Sequence, residues 1–350
     1  MDKKTIAVIF GGCSTEYEVS LQSAASVIEH LDKKLYETVL IGITRNGKWL
    51  RYFGGVENIK NDTWHREAGC RAAVFSPDRE RHCLLELHEG KYTTTEIDVV
   101  FPVLHGKNGE DGTVQGLLEL SGIPFVGCGT LSSALCMDKD MAHQLAACAG
   151  VKVPASIIAF AYTDPAEIAK RTEEMNYPLF VKPARSGSSF GITRVCTTEG
   201  VEAAVKKAFQ HDKKILIEES IEGYEVGCAV LGNEQLILGM VDEIELQKGF
   251  FDYTEKYNLT TSKIHMPARI DKLMAERIKE TAVVLYNALG CSGFSRVDMF
   301  LTPGGDIVFN EINTIPGFTS HSRYPNMLAG IGMSFGDILN KLIELAVERC

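Results

Sequence analysis

Residues 5–10 read TIAVIF, an unbroken apolar run closed by Gly11 and Gly12. A run without polar alternation suits a strand covered on both faces, which is the situation of a parallel sheet. Parallel neighbours need a crossover, and Leu21, Ala24, Ala25, Ile28 and Leu31 recur at helical spacing immediately afterwards. The chain is therefore expected to open as an α/β unit. A strand over 37–44, a turn at Asn46-Gly47, a strand over 98–104 and a helix over 113–120 stopped by Gly122 continue it. Residues 54–91 are polar and irregular, and read as an insertion or weak hairpin with no assigned function.

At 350 residues the chain exceeds what one core usually supports, so several domains are expected. The pattern divides it into an α/β unit over 1–129, a middle unit over 130–215 and a C-terminal unit over 216–350. In the middle unit Asp138 should cap a helix running to Ala149, with Gly150 behind it. YPLFVK, a glycine-serine loop and GITRVCT then give strand, loop and strand, followed by a helix over 201–209. The last unit opens with KILIEESI, EVGCAVLG and LILGMV, and continues through a long loop and a helix over 271–289. A hairpin and an amphipathic helix over 335–347 complete it.

The formal charge of -10 opposes a nucleic-acid footprint, which needs clustered Lys and Arg to displace counterions. No apolar run approaches the roughly 18 residues of a membrane span. MDKKTIAVIFGG passes from charge straight into a strand, so neither signal peptide nor anchor is expected and a cytoplasmic location is. The ten Cys lack C-x-x-C pairs; Cys136, Cys148, Cys228 and Cys291 lie in apolar surroundings and read as reduced, mostly buried thiols.

The chemically loaded segment is VDMFLTPGGDIVFNEINTIPG, residues 297–317. With Thr302-Pro303-Gly304-Gly305 as the turn, Leu301 opposes Asp306, Met299 opposes Val308, Asp298 opposes Phe309, Val297 opposes Asn310 and Arg296 opposes Glu311. Val297, Met299, Val308 and Ile312 then share the apolar face, and Arg296, Asp298, Glu311 and Asn313 the other. A bulge would change that register. The second face is either a solvated surface with an Arg-Glu pair or the oxygen set of a hard cation, Mg²⁺ held together with substrate phosphates.

Other segments carry chemistry only in company. KPARSGSSFG, residues 182–191, places Lys182 at a strand end before a loop whose backbone can approach a polyphosphate; it is not a Walker loop, and alone it reads more readily as just a turn. Glu218 and Glu225 end and begin neighbouring strands, where they could accept from adenine or ribose or be merely solvated. Residues 249–263 have the composition of a closing flap tipped by Lys256 and Tyr257. Glu16 follows the first strand, and His105 and Glu110 lie in HGKNGEDG after a later one. Each of these also has a local structural reading, as a helix-start acid or a satisfied loop residue.

In order along the chain, GGCSTEYEVSLQSA, HGKNGEDGTVQG, CMDK, KPARSGSSFG, EKY, RVDMF and NEINTIPGFTSHS resemble the ATP-grasp superfamily, and within it the D-alanine:D-alanine ligase family. The resemblance implies an N-terminal parallel-sheet α/β domain followed by a two-lobed, α+β ATP-grasp. It implies that Glu16 holds the ammonium of the first D-alanine with His105 nearby, and that Arg296 holds its carboxyl group. Lys139, Lys182, Ser189 and Lys256 would bind ATP phosphates, and Glu218 and Glu225 its adenine and ribose. Asp298, Glu311 and Asn313 would carry two Mg²⁺, or Mn²⁺. Ser188, Tyr257 and Ser322 would position the second substrate, and Gly317 N–H would join Arg296 at the oxyanion. The implied reaction forms an acyl phosphate from ATP, which the second amino acid's amine then displaces to give a peptidoglycan precursor dipeptide.

Phe251 and Arg323 depart from the housekeeping pattern and resemble the D-alanine:D-serine ligases of vancomycin resistance, of the VanG type. An Arg beside the second-substrate pocket suits a serine hydroxyl, and Asp242 is a further candidate for that network. The expected substrates are thus D-alanine and D-serine, with D-lactate disfavoured by the retained EKY, and the expected assembly is a homodimer. The alternatives are a D-alanine:D-alanine ligase of normal wall synthesis and a non-catalytic ATP-binding sensor.

Overall fold

The computed structural model describes residues 3–188, 190–246 and 262–349. β1 (Lys4–Gly11) is followed by α1 (Tyr17–His30) and β2 (Tyr36–Ile43), and β1 lies parallel to both β2 and a later strand. Ile6 through Phe10 are fully buried, as the unbroken apolar run requires.

Residues 54–91, expected to be irregular, instead extend this sheet. β3 (Trp49–Tyr52), a short α2 (Val56–Lys60), β4 (Arg71–Phe75), β5 (Cys83–His88) and β6 (Lys91–Glu96) form an antiparallel meander on its outer edge. β7 (Val99–Pro102) pairs on the inner side of β1, giving the order β6-β5-β4-β3-β2-β1-β7. Only one face of the meander meets the core, so its apolar residues are sparse: Ala73, Phe75 and Leu84 point in, while Val74, Leu87 and Tyr92 are exposed. That half-covered pattern is why the segment reads weakly in sequence.

α3 (Thr113–Ser121) ends on Gly122, whose φ of 70° terminates the helix in the left-handed region. α4 (Thr130–Met137), which the periodicity did not separate, precedes α5 (Lys139–Cys148); the Asp138 carboxylate caps α5 by accepting from the Met141 N–H. β8 (Ser156–Phe160), α6 (Pro165–Glu173), β9 (Leu179–Pro183), β10 (Thr193–Val195), α7 (Val201–Ala208) and β11 (Lys214–Glu219) build a second sheet, ordered β10-β9-β11-β8. The expected boundary at 215/216 falls inside β11, which pairs with β8 and β9 along its length.

The third sheet contains β12 (Tyr224–Leu231), β13 (Ile237–Leu238), β14 (Asp242–Leu246), β15 (Ser262–His265), β16 (Phe294–Leu301) and β17 (Ile307–Asn313). α8 (Lys272–Ala288), capped by Asp271, packs over it. α9 (Arg323–Ala329) and α10 (Phe335–Glu348) follow the hairpin. Ile338, Leu339, Leu342 and Ile343 of α10 share one core with Ile6, Val8 and Phe101 of the first sheet and with Phe294, Phe318 and Tyr324. The last helix thus packs the chain's end against its beginning.

The β16–β17 register differs from the expected one. Leu301 opposes Ile307, Met299 opposes Phe309, Asp298 opposes Glu311 and Arg296 opposes Asn313, with an irregularity between Asp298 and Met299. The connection is one residue longer than the tight turn assumed, since the Thr302 N–H donates to the Asp306 carbonyl. Asn310 is left as a bulge. Phe309, not Val308, therefore joins Val297, Met299 and Ile312 in the core.

Candidate active site

The bulge decides what the hairpin presents. It places Asp298 directly across from Glu311 and Arg296 across from Asn313, so all four side chains share one face. The Asn310 carbonyl is held by His143 Nε2 of α5 at 2.8 Å, and since a carbonyl only accepts, that nitrogen carries the proton. His143 was not singled out in the sequence; a lone His inside a helix gives no signal there.

That face forms one wall of a cleft of about 210 Å³. Arg296, Glu311, Asn313 and Lys139 line it together with Gly317, Ser322 and Arg323. Glu16, His105 and Ser188 line it from the opposite side. Sequence positions up to about 300 apart thus converge on one cavity.

Glu16 sits at the start of α1, is buried, and accepts a hydrogen bond from the Ser188 hydroxyl. Two glycines allow that approach. A Cβ on Gly187 would lie 2.6 Å from Glu16 Oε2, and one on Gly106, where φ is 72°, would also collide with that oxygen. Ser188 itself holds a φ of 50°, a strained value for a non-glycine residue.

His105 is buried, with both ring nitrogens engaged inside the protein. Nδ1 is 3.0 Å from the Ile315 carbonyl and must donate to it, so Nε2 of the neutral ring accepts from Ser23 Oγ at 3.2 Å. Ser23 Oγ accepts in turn from the Phe318 N–H. Burial pushes the imidazole pKa down to about 4, assisted by the Arg296 charge, which keeps the ring neutral. His105 thereby fixes the loop that carries Gly317. Glu110, named in sequence only as part of a glycine-rich loop, also lines the cleft; it accepts from the Gly106 and Ile315 N–H groups. Burial, then the nearby Glu16 carboxylate, raise its pKa to about 8.

Beneath the hairpin face lies a buried ionic cluster. Arg296 donates from Nε and Nη2 to Asp298 at 2.9 and 2.7 Å, and the Asn313 amide donates to Asp298 Oδ2 at 2.9 Å. Arg323 grips Asp242 through Nε and Nη2, both at 2.7 Å, and reaches Glu225 at 2.9 Å and Asp298 at 3.1 Å through Nη1. Burial alone would lower both arginine pKa values, but the surrounding carboxylates reverse this and raise them. Arg323 and Asp242 are thus joined. Glu225, expected at a ribose, is in this arrangement a partner of Arg323.

Lys182 and Glu218 form a buried ion pair between β9 and β11, while the second oxygen of Glu218 has no hydrogen-bond partner among the described residues. A buried acceptor without a partner is a position where a ligand donor such as an adenine amino group would gain most. Lys139 Nζ lies 3.2 Å from Glu311 and 3.0 Å from the Ser186 carbonyl, which ties α5 to both the hairpin and the glycine-serine loop. Ser189, Phe251, Lys256 and Tyr257 lie outside the described residues.

Glu311 and Asn313 line the cleft as hard oxygen donors suited to a cation, whereas both oxygens of the buried Asp298 are held by Arg296, Arg323 and the Asn313 amide N–H, which would have to release it before it joined the set. Among the described residues no cluster of three His, Cys, Asp or Glu is arranged to hold a metal alone, so any ion here would draw its remaining oxygens from a phosphate ligand or water.

Cleft, glycine-serine loop and acidic hairpin are arranged as the resemblance to ATP-grasp ligases implies, and the comparisons with known proteins show an ATP-dependent ligase of that type. Two patterns, described as the D-ala D-ala ligase N-terminus and C-terminus, match residues 5–128 and 155–344. The chain belongs to the D-alanine–D-alanine ligase family. It is similar to the vancomycin B-type resistance protein VanB of Enterococcus faecalis, 47% identical with both chains fully covered. It is 44% identical to the D-alanine–D-alanine ligase of Caldicellulosiruptor bescii, covering 100% of this chain and 96% of that one. Among solved structures, the VanG D-Ala:D-Ser ligase from Enterococcus faecalis superposes with a TM-score of 0.92 at 57% identity, covering 99% of this chain and 100% of that one.

Proposed function

We propose that this ligase joins D-alanine to D-serine through a D-alanyl phosphate, in a chain whose natural divisions fall after Gly129 and Glu219. The observation that carries the reading is the buried Arg323–Asp242 pair, whose Arg323 lines the cleft next to Ser322, the residue this reading gives to the second substrate; an apolar residue there would leave no hydrogen-bonding wall. The likeness to the VanG D-Ala:D-Ser ligase supports it.

In this reading Glu16, oriented by Ser188, receives the first ammonium, and Arg296 receives the carboxylate through Nη1, since Nε and Nη2 are committed to Asp298. The held carboxylate attacks the γ-phosphorus of ATP, and ADP departs. Lys139 and Lys182 steady the phosphates, with Lys256 and Ser189, while Glu218 faces the adenine and Glu225 would turn from Arg323 to reach the ribose. Asp298, Glu311 and Asn313 would hold divalent ions, Mg²⁺ or Mn²⁺, supplying charge neutralisation to the phosphates. The second amino acid, positioned by Ser322 and Tyr257, then attacks the acyl carbon. Arg296 and the Gly317 N–H stabilise the oxyanion, and phosphate leaves. Phe251 and Arg323 set the preference for the second substrate. The enzyme acts as a cytoplasmic homodimer.

The likeness to a D-alanine–D-alanine ligase favours a second reading in which D-alanine takes both places. Incubating the protein with ATP, Mg²⁺ and both D-amino acids and identifying the products by mass spectrometry separates the two. D-alanyl-D-serine as the main product is expected; D-alanyl-D-alanine alone would overturn the serine assignment.

A further inference from the structure

Away from the cleft's reacting groups, three cysteines meet at one point. Cys136 lies in the last turn of α4, Cys291 follows the end of α8, and Cys128 precedes α4. The sulfurs of Cys136 and Cys291 are 3.7 Å apart, Ser132 Oγ is 3.5 Å from Cys291, and Cys128 Sγ lies 3.5 Å from the backbone N–H and carbonyl of the adjoining Ser292. No such convergence can be read from positions 155 residues apart in the sequence. Among the described residues no three thiols, imidazoles or carboxylates are arranged as a metal site, so the contact is a dithiol. Cys291 is only partly buried, and a broad groove bordered by Ser132, Leu289, Gly290 and Ser292 opens beside it. Cys136 is buried, and it also borders the ligase cleft one residue before Met137 and three before Lys139.

We propose that Cys136 and Cys291 are an oxidation site, forming a reversible disulfide that lowers the enzyme's use of ATP. A hydroperoxide oxidises Cys291 first, the more exposed of the two thiols, through its small thiolate fraction: the neighbouring Cys128 lowers its pKa, but Cys136 and burial outweigh this and raise it. Its sulfur attacks the O–O bond, giving the sulfenic acid and, from hydrogen peroxide, one water. The Cys136 sulfur then attacks the Cys291 sulfur, the S–O bond breaks, and a second water leaves. Two thiols and one hydrogen peroxide thus give one disulfide and two waters.

The consequence follows from where the two cysteines are anchored. The sulfurs must close from contact to bonding distance, and Cys291 sits on a turn tied to the protein's C-terminus through the Arg349–Ser292 hydrogen bond. The movement falls on α4, whose end leads directly into Asp138 and Lys139. Lys139 contacts both Glu311 and the glycine-serine loop, so displacement of this corner is felt on the nucleotide side of the cleft.

The test uses the intact protein, hydrogen peroxide and dithiothreitol. After oxidation, non-reducing peptide mapping is expected to show the Cys136 and Cys291 peptides linked. The kcat/KM for ATP should fall about tenfold and return on reduction. Cys291→Ser should keep the reduced enzyme's activity and lose the peroxide response. A link from Cys291 to Cys128 instead, no link at all, an unchanged kcat/KM in the linked form, or equal peroxide sensitivity in Cys291→Ser would each overturn the proposal.

Discussion

At the scale of single residues, burial decides what each ionisable group can do. His105 has a folded pKa of about 4 against an ordinary 6.5, so between those values the unfolded chain binds the extra proton. Its contribution is present above pH 6.5 and is lost as pH falls through 4, worth roughly 3 kcal/mol in full. Glu110, raised from 4.5 to about 8, acts oppositely: its contribution is present at low pH and is lost as pH rises through 8. The difference between wild type and His105→Gln in urea-midpoint titrations from pH 7 to pH 4 isolates the histidine; a flatter profile for the variant is expected. Arg323 is the second case. Arg323→Leu should shift products from D-alanyl-D-serine towards D-alanyl-D-alanine, read as a product ratio by mass spectrometry. It should also cost about 3 kcal/mol of stability, because Asp242 is fully buried and would lose its guanidinium partner. Adding Asp242→Asn should recover part of that stability, and an unchanged product ratio would remove Arg323 from substrate choice.

At the scale of elements, the β16–β17 hairpin combines two demands. Its inner face must be apolar to pack on α8, and its outer face must gather oxygen donors; the bulge at Asn310 lets both faces keep their character across a long connection. Glu311→Gln keeps the shape and removes the charge. It is expected to lower the rate of phosphate release about a hundredfold or more at saturating Mg²⁺, while the far-ultraviolet circular dichroism spectrum stays unchanged. Near-normal turnover would show that Glu311 is not a metal ligand. The sequence made the polar face legible because period-two alternation survives a register shift by whole pairs. It misassigned the pairing, and with it Val308 and Phe309, because one added residue in the connection and one bulge leave no compositional mark.

At the scale of the molecule, the site exists only because distant parts of the chain are held together. Arg349, the penultimate residue, donates to the Gly127 carbonyl at 2.5 Å, the Ser292 hydroxyl at 2.8 Å and the Phe125 carbonyl at 3.3 Å, and lies over the Phe125 ring. Arg349→Ala is expected to lower global stability by about 1 kcal/mol in urea denaturation, with the product ratio unchanged. A stability identical to wild type would show that this staple is redundant with the shared core. By itself the sequence determined the α/β beginning, the helix capped by Asp138, the helix over 271–289, the acidic hairpin face and the family, since each rests on local periodicity, local turn chemistry or ordered motifs. It did not determine the outer meander, whose apolar residues are too few on its single covered face. Nor did it determine that His105 spends both nitrogens on the protein, that Arg323 binds three carboxylates, or that Cys136 touches Cys291. Those are matters of burial and distance between residues far apart in the chain, and only packing in three dimensions sets them.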